Sequence, residues 1–218
     1  MKFKELKERF DKNANLALAQ QMSSYMRDQF LFYGYQSIKR KQLYHQDLLR
    51  AKHSNSINWQ LLDQAWHDPH REMQYFVCDY LIQVENLITI EDLPKIEQYL
   101  RTKQWWDTID KLMKPIGQLG LRDHAVNAIM LRWSMDPDQW IRRVAIEYQL
   151  LRRDKTNINL LAEIIENNLG RREFFINKAI GWALRDYSKT NPGWVRQFIK
   201  THHAGLTPLA IREASRYL

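Results

Sequence analysis

The sequence predicts an all-α protein, an α-solenoid of stacked helix pairs forming a single curved domain over residues 1–218, and three observations carry that expectation. Apolar residues recur at i, i+3, i+4 and i+7, while alternation of period two is never sustained. Only 7 of the 218 residues are Gly and 6 are Pro, too few for the tight turns of an all-β fold. Four apolar sets, Met73/Phe76/Val77/Tyr80, Ile109/Leu112/Met113/Ile116, Ile141/Val144/Ala145/Tyr148 and Ile176/Ala179/Ile180/Ala183, begin 36, 32 and 35 residues apart. That is about the length of one helix pair in a repeat protein.

Taken in order, the elements have their own signals. The N-terminal "MKFKELKERF" has the pattern of an amphipathic helix rather than of a signal peptide. "HDPHRE" and "MDPDQW" each place Asp before Pro, so Asp68-Pro69 and Asp136-Pro137 are expected to be the N-cap and first residue of equivalent helices. Partner helices are expected in "TIEDLPKIEQYL" (89–100) and "DHAVNAIMLRW" (123–133). Thr207-Pro208 opens a final helix running to Leu218. No flexible linker or low-complexity segment separates these elements.

Composition narrows the function classes. The single cysteine, Cys78, rules out an internal disulfide framework and a Cys-based zinc site. The His residues lack acidic partners at ligand spacing, and no Gly-rich phosphate loop occurs, so neither a metal nor a nucleotide cofactor is expected. No 18-residue apolar run exists, so a soluble, cytoplasmic protein without membrane contact is expected. Residues 1–100 carry 13 Lys+Arg and 13 Asp+Glu, whereas residues 101–218 carry 20 and 12, so the second half holds the whole net charge of +8. A one-sided basic surface suits a polyanion, most simply nucleic acid; it also suits a merely soluble face.

The stretch "KQWWDTIDKL" (103–112) concentrates the chemistry. On a helical wheel Trp105 falls in the stripe of Ile109, Leu112, Met113 and Ile116 and is expected in the core. Trp106 sits at the edge of that stripe with Asp110 one turn further along the same side, and Asp107 turns toward solvent. Arg143 and Trp182 likewise lie away from the apolar stripes of their own helices. In a solenoid, equivalent helices of successive pairs line one concave face. The expectation is that Trp106, Asp110, Arg143 and Trp182 meet in a solvent-open cleft there.

Four blocks, "FLFYGYQSIKRKQL" (30–43), "WWDTID" (105–110), "WIRRVAIEYQL" (140–150) and "EFFINKAIGWALRDYSKTNP" (173–192), resemble the AlkD-like family of bacterial DNA alkylation-repair glycosylases. The resemblance runs over nearly the whole chain. It implies a HEAT-like helical repeat, no cofactor, a monomer acting on double-stranded DNA in the bacterial cytoplasm and nucleoid, and release of cationic alkylated purines such as 3-methyladenine and 7-methylguanine. It matches the family's active-site tryptophans to Trp106 and Trp182, its carboxylate to Asp110 and its arginine to Arg143. It also places Tyr25 near the DNA. Arg40, Lys41, Arg152, Lys178 and Arg185 complete the candidate DNA contacts.

The implied chemistry is spare. Breaking an N-glycosidic bond passes through an oxocarbenium-like sugar. A cationic purine leaves without being protonated, so one carboxylate that stabilises the sugar and positions water suffices. Indole faces suit a cationic lesion nucleotide, and an arginine suits a phosphate. The competing expectation is a non-catalytic repeat scaffold that binds protein or nucleic acid.

Overall fold

The computed structural model describes residues 2–218; Met1 lies outside the described residues. The chain divides into two compact units, Met1–Ile88 and Thr89–Leu218. The first holds α1 (Phe3–Asp11), α2 (Leu16–Tyr25), α3 (Ser37–Lys52), α4 (Trp59–His67) and α5 (Arg71–Gln83). The second holds α6 (Leu93–Leu100), α7 (Trp106–Arg122), α8 (Ala125–Trp133), α9 (Gln139–Glu147), α10 (Ile158–Glu166), α11 (Phe174–Ser188), α12 (Pro192–Thr201) and α13 (Pro208–Ala214). Among the described residues the only β pairing is an isolated bridge between Leu31 and His70. The fold is the all-α helical repeat that the periodicity predicts.

All sixteen residues of the four apolar sets are buried. Helix starts follow from capping. Asn15, Asn58, Asn157, Asn191 and Thr207 each accept a hydrogen bond from the backbone N–H three residues on, which satisfies a donor the helix itself leaves open. The two Asp-Pro pairs act differently from the expectation. Asp68 and Asp136 accept from the N–H of residues 70 and 138, and the helices begin after these turns, at Arg71 and Gln139. The side chain of Asp closes a turn with its own backbone two residues on, and Pro fixes the second position of that turn rather than the first of the helix. The last helix is also shorter than expected: α13 ends at Ala214 and a 3-10 turn covers Ser215–Tyr217.

In the second unit α7 packs on α9, α9 on α11 and α11 on α13, while α8 packs on α9 and α10, and α12 on α11. Polar ties run at one-repeat separation along these layers. Arg101 reaches both oxygens of Asp136 (3.2 and 2.7 Å) and Gln104 donates to Asp138 (2.5 Å), joining the entry loops of α7 and α9. Arg152 donates to the Gly117 carbonyl at 2.7 Å, and Asn168 to the Ser134 carbonyl at 2.9 Å. With both the entry and the exit of α7 tied to the α9 region, residues 33 apart on the two helices come into register.

α11 and α13 meet at a glycine. A Cβ on Gly181 would lie 2.5 Å from the Glu213 Cβ and 3.1 Å from the Ala210 carbonyl oxygen. Gly181→Ala gains about 1 kcal/mol of helix propensity but forces an overpacking cost of about 1–3 kcal/mol. The expected outcome is a lower melting temperature by calorimetry; a higher one would mean that the two helices are not held at this separation.

Candidate active site

α7 presents the carboxylate. Lys103 takes a left-handed φ of 49°, and Trp105 is extended (φ −162°, ψ 159°), so the helix begins only at Trp106. Trp105 is therefore the N-cap and lies off the helical wheel. It is half-buried rather than core, and it packs on Trp140 and Phe175 with ring centroids 5.7 and 5.3 Å away. Asp107, expected to face solvent, is buried in the first turn, where the helix dipole favours an acid. Trp106 is half-buried at the first helical position, one turn before Asp110.

Asp110 keeps 21% of its side chain exposed, and both its oxygens are held by Arg143: Nε donates to Oδ1 at 2.8 Å and Nη2 to Oδ2 at 2.9 Å. Arg143 Nη1 donates to the Phe175 carbonyl on α11 at 2.7 Å. Trp182 on the same helix lies beside the guanidinium, its ring centroid 5.4 Å from Arg143 Cζ and 5.8 Å from Arg185 Cζ. Such approaches carry cation–π attraction and leave the half-buried indole oriented. Contact thus joins Asp110, Arg143 and Trp182; Trp106 is related to them by its helical position.

Arg143 differs from the expectation of a solvent-facing phosphate ligand. It is 1% exposed. It does lie off the stripe of Ile141, Val144, Ala145 and Tyr148, but every residue of α9 after its first, from Trp140 to Glu147, is buried, because α7, α8, α10 and α11 all pack on it. A helix covered on every side has no solvent face for the wheel to identify. Burial works against the guanidinium charge; the hydrogen bonds to Asp110 and the nearby carboxyl groups outweigh it and hold the Arg143 pKa above its ordinary value.

A further residue, which the sequence reasoning missed, completes the cluster. Glu147 is wholly buried, with Oε1 2.9 Å from Arg143 Nη2. Burial pushes its carboxyl well above the usual range; the charge of Asp110 pushes the same way and Arg143 opposes. The available signal was an acid between Ile146 and Tyr148 in the otherwise apolar run "VAIEY".

The expected DNA contacts divide. Tyr25 is 73% exposed and Lys41 is exposed. Lys178 and Arg185 are partly exposed and share Glu213, at 2.7 and 2.8 Å, and the two cations draw its pKa below the usual carboxylate value. Arg40 and Arg152 are buried. Arg40 donates to Tyr44 Oη and stacks on Tyr75, and Arg152 lies over Tyr148 while holding Gly117, so neither offers a face to phosphate. Arg142, counted in the basic excess, is likewise buried on Glu173 and two backbone carbonyls.

The sequence matches a family model described as DNA alkylation repair enzyme over residues 6–218. Among solved structures, a protein from Enterococcus faecalis described as a predicted DNA alkylation repair enzyme is 35% identical, with 94% of this chain and 97% of that chain covered and a TM-score of 0.87. AlkD2 from Streptococcus mutans is 17% identical, with 80% and 90% covered and a TM-score of 0.64. The Pseudomonas fluorescens alkylpurine DNA glycosylase AlkC, bound to DNA containing an abasic site analog, is 17% identical, with 97% of this chain and 64% of that chain covered and a TM-score of 0.51. No curated protein matches the chain.

Removing one partner of a buried charge pair costs about 3–5 kcal/mol, whereas removing a partly exposed one costs about 0–1 kcal/mol. Arg143→Ala should therefore lower the urea midpoint far more than Arg185→Ala, whose partner Glu213 retains Lys178. Equal shifts would contradict the burial and pairing described for Arg143.

Proposed function

The chain belongs to the DNA alkylation repair enzyme family, and on that premise we propose that it is a DNA N-glycosylase releasing cationic alkylated purines from duplex DNA. 3-Methyladenine and 7-methylguanine are the substrates that fit this chemistry. The observation that carries the reading is the Asp110 carboxylate: partly exposed, yet clamped at both oxygens by a buried guanidinium.

That clamp matters for catalysis more than a free carboxylate would. A bidentate pair fixes the oxygens in a plane, and the lone pairs not used by Arg143 remain for a cation or a water. As the glycosidic bond stretches, positive charge develops on the sugar ring. A preorganised negative group beside it lowers the barrier without having to reorient. The same carboxylate can accept a proton from the water that attacks C1′. The purine departs as a neutral base because its alkyl group already gave it a positive charge, so no acid is required. Trp106, one turn before Asp110, and Trp182, beside Arg143, would lie against the lesion nucleotide, attracted to its charge. In this mechanism Arg143 orients Asp110 and does not hold phosphate.

Duplex DNA as the partner is supported by the family and by a structural relative that was captured on DNA. On this reading the exposed cations Arg171 and Arg172 of the second unit would meet phosphate, and Lys41 and Tyr25 would be contacts of the first.

Single-turnover base release tests the proposal. Wild type should release 7-methylguanine and leave hypoxanthine, a neutral lesion that would need protonation. Asp110→Asn should slow release by about tenfold to a thousandfold while lesion-duplex affinity changes little, since a carboxylate near phosphates does not help a polyanion bind. Efficient release of hypoxanthine would overturn the mechanism, and an absence of release from either lesion by wild type would favour a binding scaffold.

A further inference from the structure

We propose that Glu147 is a positioning residue for Asp110, tying that carboxylate to α9 beside Arg143 by hydrogen bonding rather than by charge. The proposal rests on the glycosylase reading of the site and adds to it a residue that never meets the substrate.

Glu147 closes α9 one turn after Arg143 and is 0% exposed. Its Oε1 lies 2.9 Å from Arg143 Nη2, the nitrogen that also donates to Asp110 Oδ2 at 2.9 Å. Despite that approach, neither Glu147 oxygen has a well-aligned hydrogen-bond donor. The same nitrogen thus meets both carboxyl groups, which brings Glu147 beside Asp110. One guanidinium therefore faces two carboxyl groups inside the protein.

Two ionised carboxylates on one buried cation would leave an uncompensated charge, which a dry interior strongly disfavours. The charges acting on Glu147 are Asp110 from α7 and Arg143 from its own helix. Asp110 is the group with access to solvent, so it keeps the negative charge, and Glu147 keeps a proton. That proton has Asp110 as its acceptor, while the carbonyl oxygen of Glu147 faces the guanidinium. The Asp110 carboxylate is thereby tied to α9 from two side chains, Arg143 and Glu147, and its charge stays directed toward the open side of the site. Nothing else in the cluster explains why an acid occupies a fully buried position four residues after the arginine.

Three variants separate this role from simple filling of space. Glu147→Gln keeps hydrogen bonding without charge, Glu147→Met keeps volume without hydrogen bonding, and Glu147→Ala removes both. Single-turnover release of 7-methylguanine should fall at least about tenfold in the Met variant at unchanged lesion-duplex affinity, as loss of a hydrogen bond to a charged group implies. Gln should rescue that loss to within about threefold of wild type, and Ala should fall further than Met. The Arg143 Nε–H proton, followed by NMR in the free protein, should be slow to exchange in wild type and the Gln variant and fast in the Met variant. A Gln variant as slow as the Met variant would show that Glu147 acts as a charge, and a Met variant as active as wild type would show that it only fills space; either result overturns the proposal. A wild-type protein that releases no base would remove the glycosylase reading alone, because the exchange of the Nε–H that donates to Asp110 still decides whether Glu147 steadies the Arg143–Asp110 pair.

Discussion

The buried guanidinium of Arg143 is the constraint on which the rest of the site depends. An arginine is tolerated at 1% exposure only if its donors find acceptors. Here those acceptors are the Asp110 carboxylate on α7 and the Phe175 carbonyl on α11, on either side of α9, while Glu147 on α9 itself lies 2.9 Å from Nη2. One side chain thus links the repeat that carries the carboxylate to the repeat that carries Trp182. The carboxylate inherits the rigidity of the packed interior although it lies at the surface, and preorganisation of that kind is what electrostatic catalysis requires.

The repeat architecture supplies the register. Ties between residues one repeat apart, Arg101 to Asp136, Gln104 to Asp138 and Arg152 to Gly117, hold α7 and α9 at both ends. Asp110 and Arg143 then face each other without any special loop. The same economy explains why net charge overstates the binding surface. Arg40, Arg142 and Arg152 are structural cations whose positive charge is spent inside the fold, and Lys178 and Arg185 share Glu213. The residues left to attract a polyanion are fewer than the excess of +8 suggests.

Much of this was legible in the sequence, and the misses have common causes. The apolar sets identify the helices because burial of a stripe is a local, periodic property. Asp110 was found together with its helix for the same reason. The wheel failed for Trp105 because capping geometry, with a left-handed residue at Lys103, ended the loop one residue later than the periodicity implied. It failed for Arg143 because α9 is enclosed, so a position off the apolar stripe is still an interior position. Glu147 escaped for a different reason. A buried acid is meaningful only through its partners, and although Arg143 lies one turn away on the same helix, the Asp110 carboxylate that shares its guanidinium is on α7, beyond anything periodicity reports. The Asp-Pro turns were displaced by two residues because side-chain closure of a turn competes with capping, and the same Asp can do either.

Affinity for a charged sugar mimic tests the central claim most directly, namely that a clamped Asp110 stabilises positive charge on the sugar. Duplex DNA carrying a protonated pyrrolidine in place of the target nucleotide resembles the transition state, and a tetrahydrofuran abasic site is its neutral counterpart. Wild type should bind the cationic duplex more tightly than the neutral one, and Asp110→Asn should lose that preference while still binding the neutral duplex. Equal affinity of wild type for the two duplexes, or a preference that survives in Asp110→Asn, would contradict the account.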